Sequence, residues 1–253
     1  MNTDELKSRI VLSSIPLRKL GANNLPIDSA MGCLVQYAGK VLVLTVEHAT
    51  GDFGNWAIEV EYVPQLGQTA LYQIGQMNFL AKLTVNVEGQ PEIDFSRAET
   101  IDFSYAILKK PVTPLYQELD SDGTIKNSIP TITLETPFQS EPNVDLEYGF
   151  YGHTKAKYIG KLLTLAPRLE MGMKFLGEDG EFYVFQMQRT NTLANEYKGC
   201  SGAPILDSNG ELVSLAAQVV PSLNQIYGVK IFKYRAVIDV ECGIFSSKSG
   251  LAC

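Results

Sequence analysis

Residues 198–217 read KGCSGAPILDSNGELVSLAA, with Cys200 and Ser201 side by side between two glycines. Either side chain can attack an electrophile, and each is a weak nucleophile near neutral pH unless a base lies within hydrogen-bond reach. Histidine suits that task because its pKa sits near operating pH, so it can take a proton and later return it. The chain has two histidines. His48 closes the apolar run VLVLTVEH, while His153 follows YGFYG in a turn, where a half-buried structural histidine is the plainer expectation. A carboxylate on the other ring nitrogen would fix the tautomer and stabilise the imidazolium. Asp102, at the head of DFSYAILKK, is favoured for that place. Ser104 is a rival because residues 102, 104 and 106 share one strand face, and Asp94 in PEIDFSRAE is another. In chain order the set is His48 as base, Asp102 as orienting acid and Ser201 as nucleophile. The glycines around the serine let backbone N–H groups converge on a developing oxyanion, and the donors are assigned to Gly199 and Ser201. Losing one such donor typically costs about 3–4 kcal/mol of transition-state stabilisation.

These residues need a rigid frame, and the frame is β. Short runs of Val, Ile, Leu, Tyr and Phe recur every ten to fifteen residues, broken by Gly, Pro, Asn and Asp: GCLVQYAG, KVLVLTVEH, WAIEVEYV, KLTVNV, FSYAILKK, DLEYGFYG, KYIGKLLTLAP, EFYVFQMQ, ELVSLAAQVV and QIYGVKIF. That spacing predicts an all-β barrel or sandwich protein. SNG at 208–210 predicts a hairpin between PILD and ELVSLAA. Helical signals are short, at 3–10 with Thr3 as cap and at 232–240. The segment 111–144 is rich in Pro, Ser, Thr and acidic residues and reads as a connector between two halves.

Composition narrows the function classes. Of 253 residues, 45% are hydrophobic and 19% charged, enough apolar surface for a core and too few charges for a disordered chain. The net charge of −7, from 28 acidic and 21 basic residues, argues against a nucleic-acid or anionic-membrane partner. The N-terminus carries early acidic residues and no sustained apolar stretch, which argues against a secretory signal. The longest apolar runs are strand-sized, far short of a membrane span. Cys33, Cys200, Cys242 and Cys253 show no CxxC pair, so no zinc site or other metal or cofactor is expected. Reduced thiols in a cytoplasmic protein are the simplest expectation.

Three stretches together resemble the chymotrypsin-like (trypsin-fold) serine peptidases, in the form of a bacterial-type cytosolic member without disulfides. GCSGAP is similar to their Gly-x-Ser-Gly-x-Pro loop, TVEHA to their Thr-Ala-Ala-His strand end, and DFSYAILKK to their Asp followed by small and aliphatic residues. AMGCLV resembles the family's first hairpin, and YGFYG the opening of its second barrel. The order is kept over residues 28–235. The resemblance implies a single peptidase domain over 1–253 made of two antiparallel six-stranded β-barrels, chymotrypsin-like, with short terminal helical segments. The expected spans are an N-terminal barrel about 28–112, a connector about 113–144 and a C-terminal barrel about 145–235. It also implies a specificity pocket walled by Asn195, Glu196 and Tyr197 on one side and Ala217, Gln218 and Val219 on the other, with Asn195 or Glu196 favouring a polar or basic side chain. The family's cysteine after the histidine is an alanine here, so Cys33 is expected to be an unpaired buried thiol. Cys200 stands where the family's aspartate receives a new N-terminus, so activation by N-terminal insertion is not expected. Viral cysteine relatives place their nucleophile where Ser201 stands, which assigns attack to Ser201 rather than Cys200. The expected activity is a serine endopeptidase acting on a protein substrate, switched on by a protein partner or fused domain. By fold-level analogy alone it resembles effectors of bacterial defence systems. The alternative is a weak pseudoprotease acting as a protein-binding module, separated from the first reading by whether Ser201 Oγ and the His48 ring lie within hydrogen-bond reach.

Overall fold

The computed structural model describes residues 1–86, 92–120, 124–135, 137–159, 162–189 and 196–244. The chain opens with helix α1 (Thr3–Ser13) and strands β1 (Ile15–Leu20), β2 (Pro26–Tyr37) and β3 (Lys40–Thr45). One helical turn, α2 (Glu47–Thr50), leads into β4 (Asn55–Val63), β5 (Gln68–Gly75), β6 (Asn78–Asn86) and β7 (Glu92–Ile107). The connecting region holds β8 (Leu115–Leu119), β9 (Ile125–Pro130) and β10 (Leu134–Glu135). Six strands follow: β11 (Glu147–Ile159), β12 (Leu162–Asp179), β13 (Phe182–Gln186), β14 (Pro204–Asp207), β15 (Leu212–Val220) and β16 (Gln225–Val229), and then helix α3 (Arg235–Cys242).

The last six strands close into an antiparallel barrel in the order β11-β12-β13-β16-β15-β14. The first seven form a curled antiparallel sheet, β5-β4-β1-β2-β3-β7-β6, and β10 adds to β2 in parallel. Among the described residues β5 and β6 are not hydrogen-bonded to each other, so they stand as the two ends of the first sheet. The β4–β5 and β6–β7 pairings each carry bulges, which bend their strands locally, and β5 ends at Gly75 with φ +90°. This sheet takes in β1, ahead of the 28–112 span expected for it. The connecting region is also more ordered than its composition suggests, because β8 and β9 pair as their own hairpin. The stretch KYIGKLLTLAP is shared between β11 and β12, with Ile159 paired to Leu162.

Local chemistry accounts for the ends. Asn2, rather than Thr3, caps α1: its side chain accepts from the Glu5 N–H, and the Glu5 carboxylate accepts from the Asn2 N–H. The β2–β3 hairpin turns through Ala38 and Gly39, both at positive φ, and the 208–210 hairpin closes with Gly210 N–H donating to Asp207 O at 2.9 Å.

Three apolar clusters result. Ile15, Leu17, Leu34, Val43, Trp56 and Ile58 fill the first sheet, and Tyr148, Phe150, Met173, Phe185, Ile205 and Val213 fill the barrel. The third cluster lies between the halves, joining Leu42, Leu44 and Phe103 to Leu206, Leu215 and Val229, with Ile10 of α1 and Ile238 of α3 at its edges. Strand β3 is therefore buried on both faces, which is why VLVLT reads as a continuous apolar run instead of alternating. Each fully buried Leu or Phe contributes roughly 1.5–3 kcal/mol. The interface is thus a core in its own right, and it fixes one half against the other. Cys33, Cys200 and Cys242 are free and buried, while Cys253 lies outside the described residues. No helix among the described residues is long and apolar enough to cross a membrane.

Candidate active site

Strand β3 delivers His48. Val46, between the strand and α2, is fully buried, and the single turn of α2 is held by Thr50 Oγ1 donating to Val46 O at 2.9 Å. That turn lifts the His48 ring to the surface of the groove between the halves, leaving its side chain 45% exposed. Strand β7 pairs with β3 through Ser104 opposite Thr45, so Asp102 lies just past the last pair, beside α2. Phe103 points to the opposite face, into the interface cluster, stacked on Tyr234 at 5.0 Å between ring centroids. With the next residue anchored there, the Asp102 carboxylate is held against the His48 ring and is only 20% exposed.

The contacts form one chain. His48 Nδ1 lies 2.9 Å and 3.0 Å from the two Asp102 oxygens, and the His48 backbone N–H also donates to Asp102 Oδ1 at 3.0 Å. On the other side of the ring, His48 Nε2 lies 3.0 Å from Ser201 Oγ. The Asp102 hydrogen bond raises the His48 pKa above its ordinary value, partly opposed by burial. Glu47 is pushed up by burial and by the Asp102 charge.

The rivals sit elsewhere. Ser104 is fully buried, its hydroxyl donating to Asn78 O at 2.9 Å. It shares the face of Asp102, as alternation requires, but lies inside the sheet rather than at its mouth. Asp94 lies eight positions back along β7, paired across to Thr84, about 26 Å away at ~3.3 Å per residue. Cys200 is 3% exposed inside the barrel, its Sγ 3.8 Å from His153 O, and burial pushes its thiol up to about 12. The His153 ring pairs with Tyr151 Oη at 3.1 Å and does not belong to the chain of contacts around Ser201.

The loop carrying Ser201 is held from both halves. Gly199 and Gly202 have φ of +104° and +87°, conformations that side-chain-bearing residues rarely adopt. Gly202 N–H donates to Ala216 O, and Met31 N–H, from β2 of the other half, donates to Ser201 O at 2.9 Å. Thr45 Oγ1 donates to Met31 O at 2.7 Å and completes the clamp. A β carbon on Gly202 would stand 2.1 Å from Met31 O and 2.2 Å from Thr45 Oγ1, so only glycine allows this approach. Among the described residues the N–H groups of Gly199 and Ser201 have no acceptor, whereas that of Cys200, between them, is bonded to Tyr197 O. Two unpaired donors flanking one paired one suit a developing oxyanion.

Beside Ser201 opens a pocket of about 180 Å³. Tyr197, Ala217, Gln218 and Val219 line it as expected, joined by Lys198 and Ile226. Glu196 is instead engaged by Arg168 at 3.4 Å and Arg189 at 3.8 Å, and Asn195 lies outside the described residues. Behind Tyr197, Arg168 stacks on its ring at 4.6 Å and donates to its hydroxyl, which in turn donates to Glu170. Met31, Thr45, Lys198 and Ile226 were not singled out from sequence. Of these, Lys198 had a local signal, standing next to Gly199, whereas the Met31 clamp depends on a contact across the two halves. Among the described residues no cluster of His, Cys, Asp or Glu is suited to a metal ion.

No protein-family model matches the sequence, and no curated protein matches it. Solved structures do share its backbone. The human heparin-binding protein is similar over 92% of this chain and 92% of its own, with a TM-score of 0.55 and 12% identity. A serine endoprotease from Yersinia pestis is similar over 96% of this chain and 67% of its own, with a TM-score of 0.50 and 12% identity. At such identities the likeness concerns fold. The closed barrel, the curled sheet docked on it and the short terminal helices are the chymotrypsin-like fold.

Proposed function

We propose that the chain is a serine endopeptidase that cleaves a protein partner through an acyl-enzyme, with His48, Asp102 and Ser201 as its triad. The observation that carries this reading is the unbroken run of contacts from Asp102 through the His48 ring to Ser201 Oγ, 3.0 Å from Nε2. That separation also favours hydrolysis over a binding module, since a productive base must lie within such reach. In the reaction, His48 Nε2 takes the Ser201 hydroxyl proton as Oγ bonds to the scissile carbonyl carbon. The carbonyl oxygen becomes an oxyanion, held by the Gly199 and Ser201 N–H groups. Collapse breaks the C–N bond, the leaving amine takes the proton from His48, and water then hydrolyses the ester by the same steps. Asp102 stabilises the imidazolium in between.

The pocket beside Ser201 takes the side chain ahead of the cut. Its walls include Ala216, Ala217, Val219 and Ile226, and Lys198 adds positive charge. An uncharged side chain fits it, and a basic one would be repelled. Narrow specificity or control by a partner suits a cytoplasmic peptidase, and a place among bacterial defence effectors remains an analogy of fold. The reading is tested by fluorophosphonate labelling of wild type and Ser201→Ala, with mass spectrometry of a proteome exposed to each in the presence of candidate partners. Labelling that persists in Ser201→Ala would overturn it.

A further inference from the structure

A second cavity, of about 430 Å³, lies where β1 and β4 of the first sheet, the β8–β9 hairpin and β11 of the barrel meet. That is the size range of ligand sites, and no triad residue lines it. Its walls are largely rings: Tyr62, Tyr116 and Tyr151 with Pro16, Pro114 and Pro167. Two polar groups on those walls keep an unused nitrogen. Arg18, 5% exposed, gives Nε and Nη2 to Glu59, and its Nη1 has no partner. His153 is bonded through Nε2 to Tyr151 Oη, and its buried Nδ1 has no partner. A buried polar group left unpaired is unfavourable, and a ligand that pairs with it recovers that loss.

Charge selects the ligand class. Glu59 already balances Arg18, Glu118 also lines the cavity, and His153 is neutral because burial and then the Arg18 charge push its pKa down to about 4. A carboxylate would meet two acidic side chains with no free cation to balance it. A neutral amide oxygen needs only the Arg18 N–H and brings no charge into the site. Rings and prolines around such a group suit the flat units of a peptide.

We propose that this cavity binds an extended peptide segment, one of whose backbone carbonyl oxygens accepts from Arg18 Nη1 and one of whose amide N–H groups donates to His153 Nδ1. His153 also links the cavity to the candidate active site. Its carbonyl oxygen lies 2.7 Å from where a β carbon on Gly199 would stand, and 3.8 Å from Cys200 Sγ. Strand β11 at His153 is thus the back support of the loop that presents Ser201. A segment seated on the His153 ring acts on that loop through one residue. This coupling rests on Ser201 being the nucleophile, whereas the binding does not.

The two histidines make the test direct, because imidazole ¹⁵N spectra of histidine-labelled protein contain two ring systems, assigned with His153→Phe. The full chain is titrated with N-methylacetamide, with the capped tripeptide N-acetyl-Ala-Ala-Ala-amide and with acetate. The expected result is a saturable shift of His153 Nδ1 for both amides, at least tenfold tighter for the tripeptide, and none for acetate. The shift should vanish in Leu115→Trp, which adds bulk to a residue lining the cavity, and weaken in the charge-balanced pair Arg18→Met with Glu59→Gln. An unmoved His153, a response to acetate instead, equal affinity for the two amides, or a shift surviving in Leu115→Trp would each overturn the peptide site. Saturation should change the fluorophosphonate labelling rate of Ser201 at least threefold. An unchanged rate overturns the coupling, and absence of labelling in both states overturns the nucleophile while the binding result stands.

Discussion

His48 and His153 are the same side chain placed against the same loop, and their surroundings drive them in opposite directions. His48 sits half exposed on a single helical turn with a carboxylate on Nδ1, and that hydrogen bond raises its pKa. His153 sits inside, against a tyrosine hydroxyl and near a guanidinium, and burial followed by that charge lowers its pKa to about 4. One ring is thereby poised to accept a proton near neutral pH, and the other stays neutral throughout that range. The difference comes from neighbours and exposure together with the backbone element, since His48 stands on the turn of α2 whereas His153 lies within strand β11. A histidine becomes a base where a carboxylate meets it at a wet groove.

The comparison breaks most completely at the nucleophile. Ser201→Ala and His48→Ala should each abolish fluorophosphonate labelling, while Cys200→Ala should keep it within about threefold, because the Cys200 thiol is buried whereas Ser201 Oγ meets the His48 ring. Loss of labelling in Cys200→Ala with the fold intact by circular dichroism would move attack to the thiol.

Removing the carboxylate makes His48 more like His153. Asp102→Asn should lower the labelling rate by about 10⁴, as expected when the wrong tautomer is imposed on the base. The pH profile carries the sign. Labelling requires neutral His48, so the rate should rise with pH through a midpoint above the ordinary histidine value of about 6.5. In Asp102→Asn that midpoint should move down, because the largest cause of the raised pKa is gone. A profile that keeps its midpoint would show that Asp102 does not set the proton affinity of the ring.

Gly202→Ala tests the clamp rather than the chemistry. The new methyl would overlap Met31 O and Thr45 Oγ1 at a φ of +87°, in a loop bonded to both halves. Strain and overlap together should cost roughly 2–4 kcal/mol, read as a lowered urea midpoint, with labelling reduced as the loop leaves β2. Wild-type stability in this variant would mean that the loop yields more readily than its contacts suggest.

The three residues proposed as the triad stand out in the local sequence pattern more than some elements of the frame around them do. The histidine, aspartate and serine announce themselves because each closes or opens an apolar run, so local pattern and chemistry agree. Strand β1 did not, since IPLRKL places Arg18 and Lys19 among its apolar residues, and Arg18 is buried only through its pairing with Glu59 across the sheet. The β8–β9 hairpin was hidden for a similar reason. It is stabilised by neighbours such as Gln117, whose amide oxygen accepts from the Tyr62 N–H at 2.5 Å in place of a strand partner. The ion pairs of Glu196 were equally hidden, because nothing in the local sequence shows Arg168 and Arg189 reaching its carboxylate. Contacts that cross between halves leave little trace in a single chain read along its length.

The smallest effect separates the two histidines by stability. The folded pKa of His153 lies below its unfolded value, so the unfolded chain binds a proton first as the pH falls. His153 therefore favours the folded state fully above about pH 6.5, and that contribution is lost progressively as the pH drops towards about 4. The loss should be modest, on the order of 1–2 kcal/mol between about pH 7 and pH 5. It should appear as a steeper fall of the urea midpoint in the wild type than in His153→Phe. The raised pKa of His48 has the opposite sign, a contribution present below about pH 6.5 and lost as the pH rises through its folded value, so His48→Gln should not flatten the acid limb. Parallel acid limbs for wild type and His153→Phe would mean that the His153 ring is as free to take a proton in the folded chain as in the unfolded one, and the contrast between the two histidines would then rest on Asp102 alone.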